Sequence, residues 1–395
     1  MSYWKRLLYQ LLIALLLLAS LEAAARLAFT VYAGRLHAVT VASEDWFIPT
    51  SDTGWDRRPN FNGLDECEAR RAFDSRGLVS ADAARLHKGG SSNRRVVFLG
   101  DSNTYGFCLT TETTFVEVAA RLLPKFDLIN LGVSGYTSYQ GYKHLLKYGD
   151  LIKPDFIFIS FNFNDRRYVT GNNGVDSDAA FKTMMMATRT DQVLEYSYLY
   201  RFVRALARRG PPGPAPTIRV DKLKPRVDVQ SYRSNLIRMV EWARSRGAMP
   251  FFVLFGDNPG ETALLRRGIA QLERKDYDAA IKDLTLVASR SKANFAPLAK
   301  LHLAIAYRET GQMEKAEQAL LIEPRHSNHG GVPIVLDSHY NKIMLDVAQE
   351  YGVSVIDAKG KLEETPRVFF DSVHFDAEGH EIVGKLIAEV LAKSK

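Results

Sequence analysis

Three short apolar runs constrain this chain more than anything else in it. Each is closed by small and polar residues, and a helical pattern separates each from the next. The first run, Val96-Val97-Phe98-Leu99, is β-branched and aromatic and ends in Gly100-Asp101-Ser102. The second, Asp127 to Leu131, ends in Gly132-Val133-Ser134-Gly135-Tyr136, and the third, Pro154 to Phe161, ends in Asn162-Phe163-Asn164-Asp165. Between them, Phe115, Val118, Ala119 and Leu122 recur at helical spacing within Thr113 to Leu123, and a second helix covers Tyr139 to Tyr148. Strands that are apolar throughout and alternate with helices imply a parallel sheet with helices on both faces. Right-handed crossovers then bring the three polar ends to one edge of the sheet. Ligands bind at that edge in open α/β sheets. Ser102 lies just beyond it, where a serine serves either as a nucleophile or as a helix N-cap.

The alternation resumes later with a helix over Tyr232 to Arg246 and a strand over Pro250 to Phe255. It closes with a helix over Leu336 to Tyr351, a strand over Val353 to Ile356 and a terminal helix. The apolar face of that last helix carries Ile382, Val383, Leu386, Ile387, Val390 and Leu391. Residues 258–330 interrupt the pattern with an Ala-rich helical stretch in which Gly268 and Ala280 return as Ala304 and Ala316 at one common offset. This stretch resembles a pair of imperfect tetratricopeptide repeats, in which small residues let paired helices approach closely. Two repeats do not stand alone, so the stretch should lean on the main domain. It is either a docking arm for a protein partner or an insertion that shapes the substrate cleft.

The N-terminus predicts export. Lys5 and Arg6 precede an apolar helix running from about Leu7 to Phe29. Ala23-Ala24-Ala25 fits a signal-peptide cleavage site. The helical pattern runs past it unbroken, which favours an uncleaved single-pass anchor over residues 1–33, with Glu22 and Arg26 near one end. The two basic residues keep the short side cytoplasmic and place the remainder on the periplasmic side of the inner membrane. Residues 34–93 read as a connector and an extended segment packed on the main domain. In an oxidising compartment Cys67, in a polar loop, and Cys108, just after the Ser102 turn, are candidates for a disulfide that pins that loop beside the site. The net charge of +7 is scattered, with no zinc-ligand spacing, RNA-binding signature or phosphate loop, so nucleic acid is not the expected partner. The cluster Arg201, Arg204, Arg208 and Arg209, on a possible helix over Tyr196 to Arg208, reads as a solvated face. The Pro-rich run from Gly210 to Pro216 reads as a stiff linker.

Four blocks then occur in order: Gly100-Asp101-Ser102, Gly135 within Asn130 to Gly135, Asn164-Asp165, and Asp371-Ser372-Val373-His374. Together they resemble the blocks of the SGNH/GDSL hydrolase superfamily. The resemblance covers residues 94–257 and 331–395, on either side of the helical insertion. It implies a flavodoxin-like α/β/α three-layer fold and acyl-ester chemistry with no metal or organic cofactor. By this resemblance Ser102 attacks the ester carbonyl, His374 takes and returns the proton, and Asp371 fixes the imidazole tautomer. The Ser102 and Gly135 backbone N–H groups and the Asn164 amide would receive the oxyanion. The chain departs from the family pattern at Asn103, where Leu or Phe is usual, and at Asn162, where Gly is usual. His326, His329 and His339 lack a nearby Asp at the right spacing, and His380 falls on the final helix. The expected activity is an anchored esterase acting on acyl esters, O-acetyl above all, with envelope glycans as the substrate class. O-acyl transfer to a polysaccharide hydroxyl and a non-catalytic assembly role are the alternatives.

Overall fold

A computed structural model describes residues 3–36, 46–65, 67–87, 93–169, 175–194, 197–200, 203, 218–289, 295–322 and 336–394. The apolar runs form five strands of one sheet: β3 (Arg94–Gly100), β4 (Phe126–Asn130), β5 (Phe156–Ser160), β6 (Met249–Leu254) and β7 (Ser354–Asp357). They follow a hairpin of β1 (Phe47–Thr50) and β2 (Gly54–Arg57). The sheet order is β7-β6-β5-β3-β4 and every pairing is parallel. Register is set on both sides of β3: Phe98 lies opposite Asn130 of β4, and Gly100 lies opposite Ser160 of β5. The chain reverses direction across the sheet between β3 and β5, which opens a crevice at their carboxyl ends.

Because side chains alternate along a strand, the sheet makes two cores. Val97, Leu99, Ile129, Ile157, Ile159 and Phe252 pack on one face against α5 (Ser138–Ile152), α7 (Val229–Ser245) and α12 (Asp337–Tyr351). On the other face Phe98, Phe158 and Phe251 stack with centroids 4.9 Å apart. They are covered by α4 (Phe115–Leu122) and α13 (Ala377–Lys393). This is the three-layer α/β/α architecture. Helix ends differ from the sequence reading where a cap decides them. A Thr137–Gln140 capping box starts α5, and Lys153 at φ 53° ends it, so the helix outruns Tyr139 to Tyr148 at both ends. Asp228 caps α7, which starts three residues before the expected Tyr232, accepting from the Gln230 and Ser231 amides.

The segment before β3 adds α2 (Ser80–His87) and is fixed to the sheet by buried polar contacts. Arg57 donates to the Asn130 carbonyl (3.0 Å), and Asp82 accepts from the Asn130 amide (2.7 Å). The inserted stretch forms α8 (Pro259–Glu273), α9 (Tyr277–Ser289), α10 (Ala296–Glu309) and α11 (Met313–Ala319), each packed on the next. The recurring small residues Gly268, Ala280, Ala304 and Ala316 are all buried.

The chain divides into two compact units, residues 46–181 with 216–395, and residues 1–45 with 182–215. The second of these contains α1 (Tyr3–Leu36), whose Tyr3–Ala28 stretch is long and apolar enough to cross a membrane. Arg26 pairs with Glu22 at 3.0 Å along this helix. Helix α6 (Asp178–Leu194) includes Met184, Met185 and Met186. The Arg cluster 201–209, the 210–216 linker, His326 and His329 lie outside the described residues.

Candidate active site

Strand β3 feeds a tight turn into a one-turn helix, α3 (Ser102–Tyr105). A methyl group at Gly100 would collide with the Thr104 and Ser160 side chains, so this turn closes only over glycine. The helix is capped by Asp101, whose carboxylate accepts from the Asn103 amide at 3.0 Å. The N-cap reading of Ser102 is therefore corrected: its neighbour does the capping and the Ser102 hydroxyl faces elsewhere. Ser102 Oγ lies 2.8 Å from His374 Nε2. His374 Nδ1 lies 2.6 Å from Asp371 Oδ2. The other Asp371 oxygen accepts from the backbone amides of Val373 (2.8 Å) and His374 (2.7 Å), which closes a turn around the carboxylate. Burial raises the Asp371 pKa, but the imidazole and these amides outweigh it and hold the carboxyl below its usual range.

The histidine loop is held by its neighbours rather than by a strand. The His374 ring stacks between Phe107 (centroids 4.5 Å, 29°) and Phe370 (5.8 Å, 15°). Asn258, the N-cap of α8, donates to the Asp371 carbonyl at 2.9 Å, and Glu261 accepts from the Ser372 hydroxyl at 2.6 Å. Phe107 itself sits beside a clip from the N-terminal segment. Cys67 and Cys108 are joined in a disulfide, and Arg71 donates to the Gly106 carbonyl at 2.6 Å. Arg71 also pairs with buried Asp65 at 2.8 Å.

Gly135 and Asn164 arrive from the ends of β4 and β5. Gly135 has φ +81°, a conformation that L side chains rarely adopt, and the Trp55 ring of β2 lies 3.1 Å from where its Cβ would be. Asn164 is 2 % exposed. Its Nδ2 donates to the Tyr136 carbonyl (3.1 Å) and lies 3.4 Å from Asp101 Oδ2, so it spans the residue after Gly135 and the residue before Ser102. The three positions thus converge at the crevice between β3 and β5.

The remaining sequence candidates fall elsewhere. Asn162, where the family usually has Gly, bonds Asn341 of α12 (2.7 Å) and Arg166 (2.8 Å) and braces the end of β5. Asn103 is buried within α3. His339 is exposed on α12. His380 is buried on α13 and accepts from the Phe115 amide at 2.9 Å. Burial pushes its pKa down to about 3, helped by the charges of His374 and Arg71, so it is neutral.

Three residues at the site carried no local sequence signal. Arg226 donates to the Gly135 carbonyl (2.8 Å), pairs with Asp176 (2.9 Å) and sits 5.6 Å from the Trp55 ring. Arg167 donates to Asn164 Oδ1 at 3.1 Å. Trp55 comes from the hairpin of β1 and β2. Beside Arg226 opens a polar cleft of about 330 Å³, lined among others by Tyr139, Asp176, Asp228, Ser231, Ser234 and Arg238.

The model of the GDSL-like lipase/acylhydrolase family matches residues 98–309, more than half of the chain, a span that holds Ser102, Gly135 and Asn164 but not Asp371 or His374. No curated protein sequence matches. Several solved structures are similar at low identity. A lipolytic protein of the G-D-S-L family from Veillonella parvula is 12 % identical, covering 76 % of this chain and 99 % of its own (TM-score 0.37). A GDSL-like lipase from Bacteroides thetaiotaomicron is 14 % identical over 80 % and 96 % (TM-score 0.38). An acetylxylan esterase from Geobacillus stearothermophilus is 13 % identical over 76 % and 94 % (TM-score 0.36).

Proposed function

The chain belongs to the GDSL-like lipase/acylhydrolase family and is an ester-bond hydrolase, and from that premise we propose that Ser102 is its nucleophile, with His374 as base and Asp371 as the group that orients it. The observation that carries this reading is the continuous contact Ser102–His374–Asp371, at 2.8 and 2.6 Å. His374 Nε2 takes the Ser102 proton as Oγ attacks the ester carbonyl. Asp371 keeps the proton on Nδ1 and favours the imidazolium that forms. The oxyanion receives the Ser102 and Gly135 amides and Asn164 Nδ2. Collapse expels the alcohol, which leaves with the proton from His374. Water then repeats the sequence on the acyl-enzyme and releases the acid.

The substrate is an acyl ester, O-acetyl above all, carried by a glycan. The cleft beside Arg226, whose guanidinium also binds the Gly135 carbonyl, supports this: its carboxylate, guanidinium, amide and hydroxyl groups, with one tyrosine ring and two valines, suit a sugar better than a fatty chain. The same cleft can seat a sugar hydroxyl as acyl acceptor, which makes O-acyl transfer the second reading. The apolar helix at Tyr3–Ala28 anchors the enzyme in a membrane with its catalytic unit on the extracytoplasmic side. Helices α8 to α11 form a tetratricopeptide-like arm that braces the Asp371 turn and is open to a protein partner.

The test is product analysis with the full chain in detergent. Acetate release from an O-acetylated oligosaccharide, lost in Ser102→Ala, supports the esterase. Acetyl appearing on an added glycan moves the reading to transfer. Retention of either activity in Ser102→Ala removes the proposed nucleophile.

A further inference from the structure

An amide that stabilises an oxyanion must present its N–H to the reacting oxygen and keep it there. The Asn164 carboxamide is turned by hydrogen bonds at both ends. Its Nδ2 donates to the Tyr136 carbonyl at 3.1 Å and, over a long 3.4 Å contact that a forming oxyanion can take over, to Asp101 Oδ2; its Oδ1 accepts from Arg167 Nη1 at 3.1 Å. A guanidinium has donors only, so it accepts no bond from Nδ2; the contact fixes which end of the amide faces the crevice. It also draws electron density toward Oδ1 and makes the Nδ2 hydrogens stronger donors.

Arg167 is itself placed by backbone pairing. Its carbonyl accepts from the Arg226 amide (2.8 Å), and the Asp165 carbonyl accepts from the Val227 amide (3.0 Å). This ties the loop after β5 to the segment leading into α7. The pairing sets two guanidinium groups close together, Arg167 on Asn164 and Arg226 on the Gly135 carbonyl. Burial, then the charge of Arg226, lowers the Arg167 pKa to about 9, so Arg167 stays protonated at neutral pH. Arg226 is paired with Asp176, which leaves the half-neutralised pair of guanidinium groups mildly unfavourable in the resting enzyme. They become favourable when a negative charge forms between the residues they hold.

We propose that Arg167 is a positioning residue for the oxyanion site: it orients and polarises the Asn164 carboxamide, so that Asn164 acts in the transition state only with Arg167 behind it. This rests on the assignment of Asn164 as an oxyanion donor.

A double-mutant cycle on the full chain tests it, with 4-nitrophenyl acetate as substrate and the rate of fluorophosphonate labelling at Ser102 as a second readout. Arg167→Ala should lower kcat by roughly 10- to 100-fold with KM changed less than about twofold, the size of one charge-assisted hydrogen bond. In an Asn164→Ala background the same change should cost less than about twofold further, because the residue it acts through is gone. Arg167→Lys, which keeps the charge and loses the forked donor, should fall between parent and Arg167→Ala and guards against a folding defect. Multiplicative losses in the double variant overturn the proposal, as does a rise in KM alone, which is the mark of a substrate contact. If Asn164→Ala alone leaves kcat unchanged, the oxyanion assignment fails and this proposal with it. An additive cycle, by contrast, sinks only the role of Arg167.

Discussion

Ser102, Gly135 and Asn164 stand at the ends of three adjacent parallel strands, β3, β4 and β5, whereas His374 and Asp371 stand on a loop between β7 and α13 with no strand beneath them. The first half is set by a backbone ladder whose register places Gly100 against Ser160 and Phe98 against Asn130. The second half is set by a few separate contacts: the Phe370 amide on the His374 carbonyl (3.1 Å), the Asn258 amide on the Ser372 carbonyl (2.8 Å), the rings of Phe107 and Phe370, the cap of α8, and the clip closed by Cys67 and Cys108. A ladder loses little when one side chain changes. A loop held by a few contacts depends on each of them. The donors should therefore keep their backbone places when neighbours change, the Asn164 carboxamide alone depending on the Arg167 side chain that orients it, and the base should be sensitive to distant changes.

The largest expected effect lies in the loop half. Asp371→Asn leaves an acceptor beside Nδ1 but removes the charge and admits the wrong tautomer, so kcat should fall by about 10⁴. Steady-state kinetics on a small aryl ester measures this, and a loss under about tenfold would show that the loop orients His374 without its carboxylate. Next is the ladder half: Asn164→Ala should lower kcat by about 10²–10³, the usual size for one oxyanion donor. A change confined to KM would remove Asn164 from the transition state.

The contrast is sharpened by the disulfide. Replacing Cys67 and Cys108 by Ser opens a link that spans 41 residues and should cost up to about 4 kcal/mol of stability in the chain-entropy model. Because Phe107 rests against His374, kcat should also fall by several-fold at temperatures where the protein is still folded. A lower melting temperature with unchanged kcat would confine the clip to stability.

The smallest effect is a pH dependence in the ladder half. Asp165, buried behind Asn164, accepts from the Ser138 amide and hydroxyl, and burial pushes its pKa up to about 8. Between the unfolded value near 3.8 and about 8, the folded carboxyl holds a proton that the unfolded one has lost. Stability should therefore fall as pH rises through that window. Buried Asp101 and Asp82, raised to about 6 and about 7, act in the same direction. Asp165→Asn should flatten the decline above pH 6, read as melting temperature from pH 5 to 8. An equal slope in both proteins would contradict it.

The same contrast explains what the sequence made legible. The strands of the ladder half announce themselves as continuous apolar runs, because a strand buried on both faces tolerates nothing else, and their polar ends mark the edge where Ser102, Gly135 and Asn164 sit. The fold class followed from that pattern. Asp371 and His374 showed only as a short spacing that resembles a family block. Trp55, Arg167 and Arg226 showed no signal at all, since each acts through a contact made by tertiary folding. Trp55 lies far along the chain from Gly135, in a segment that reads as irregular. Arg226 follows a proline in a stretch without periodicity. The Asp101 cap was hidden too, because Asp and Ser are both good caps and only the geometry of the turn separates them.

Covalent labelling of the full chain with a fluorophosphonate, read by intact mass and peptide mapping, tests Ser102 as the nucleophile most directly. A single adduct should form on Ser102 and disappear in His374→Ala, since the 2.8 Å contact with Nε2 activates the hydroxyl. An adduct on another residue, or labelling of Ser102 at the same rate without His374, would contradict it.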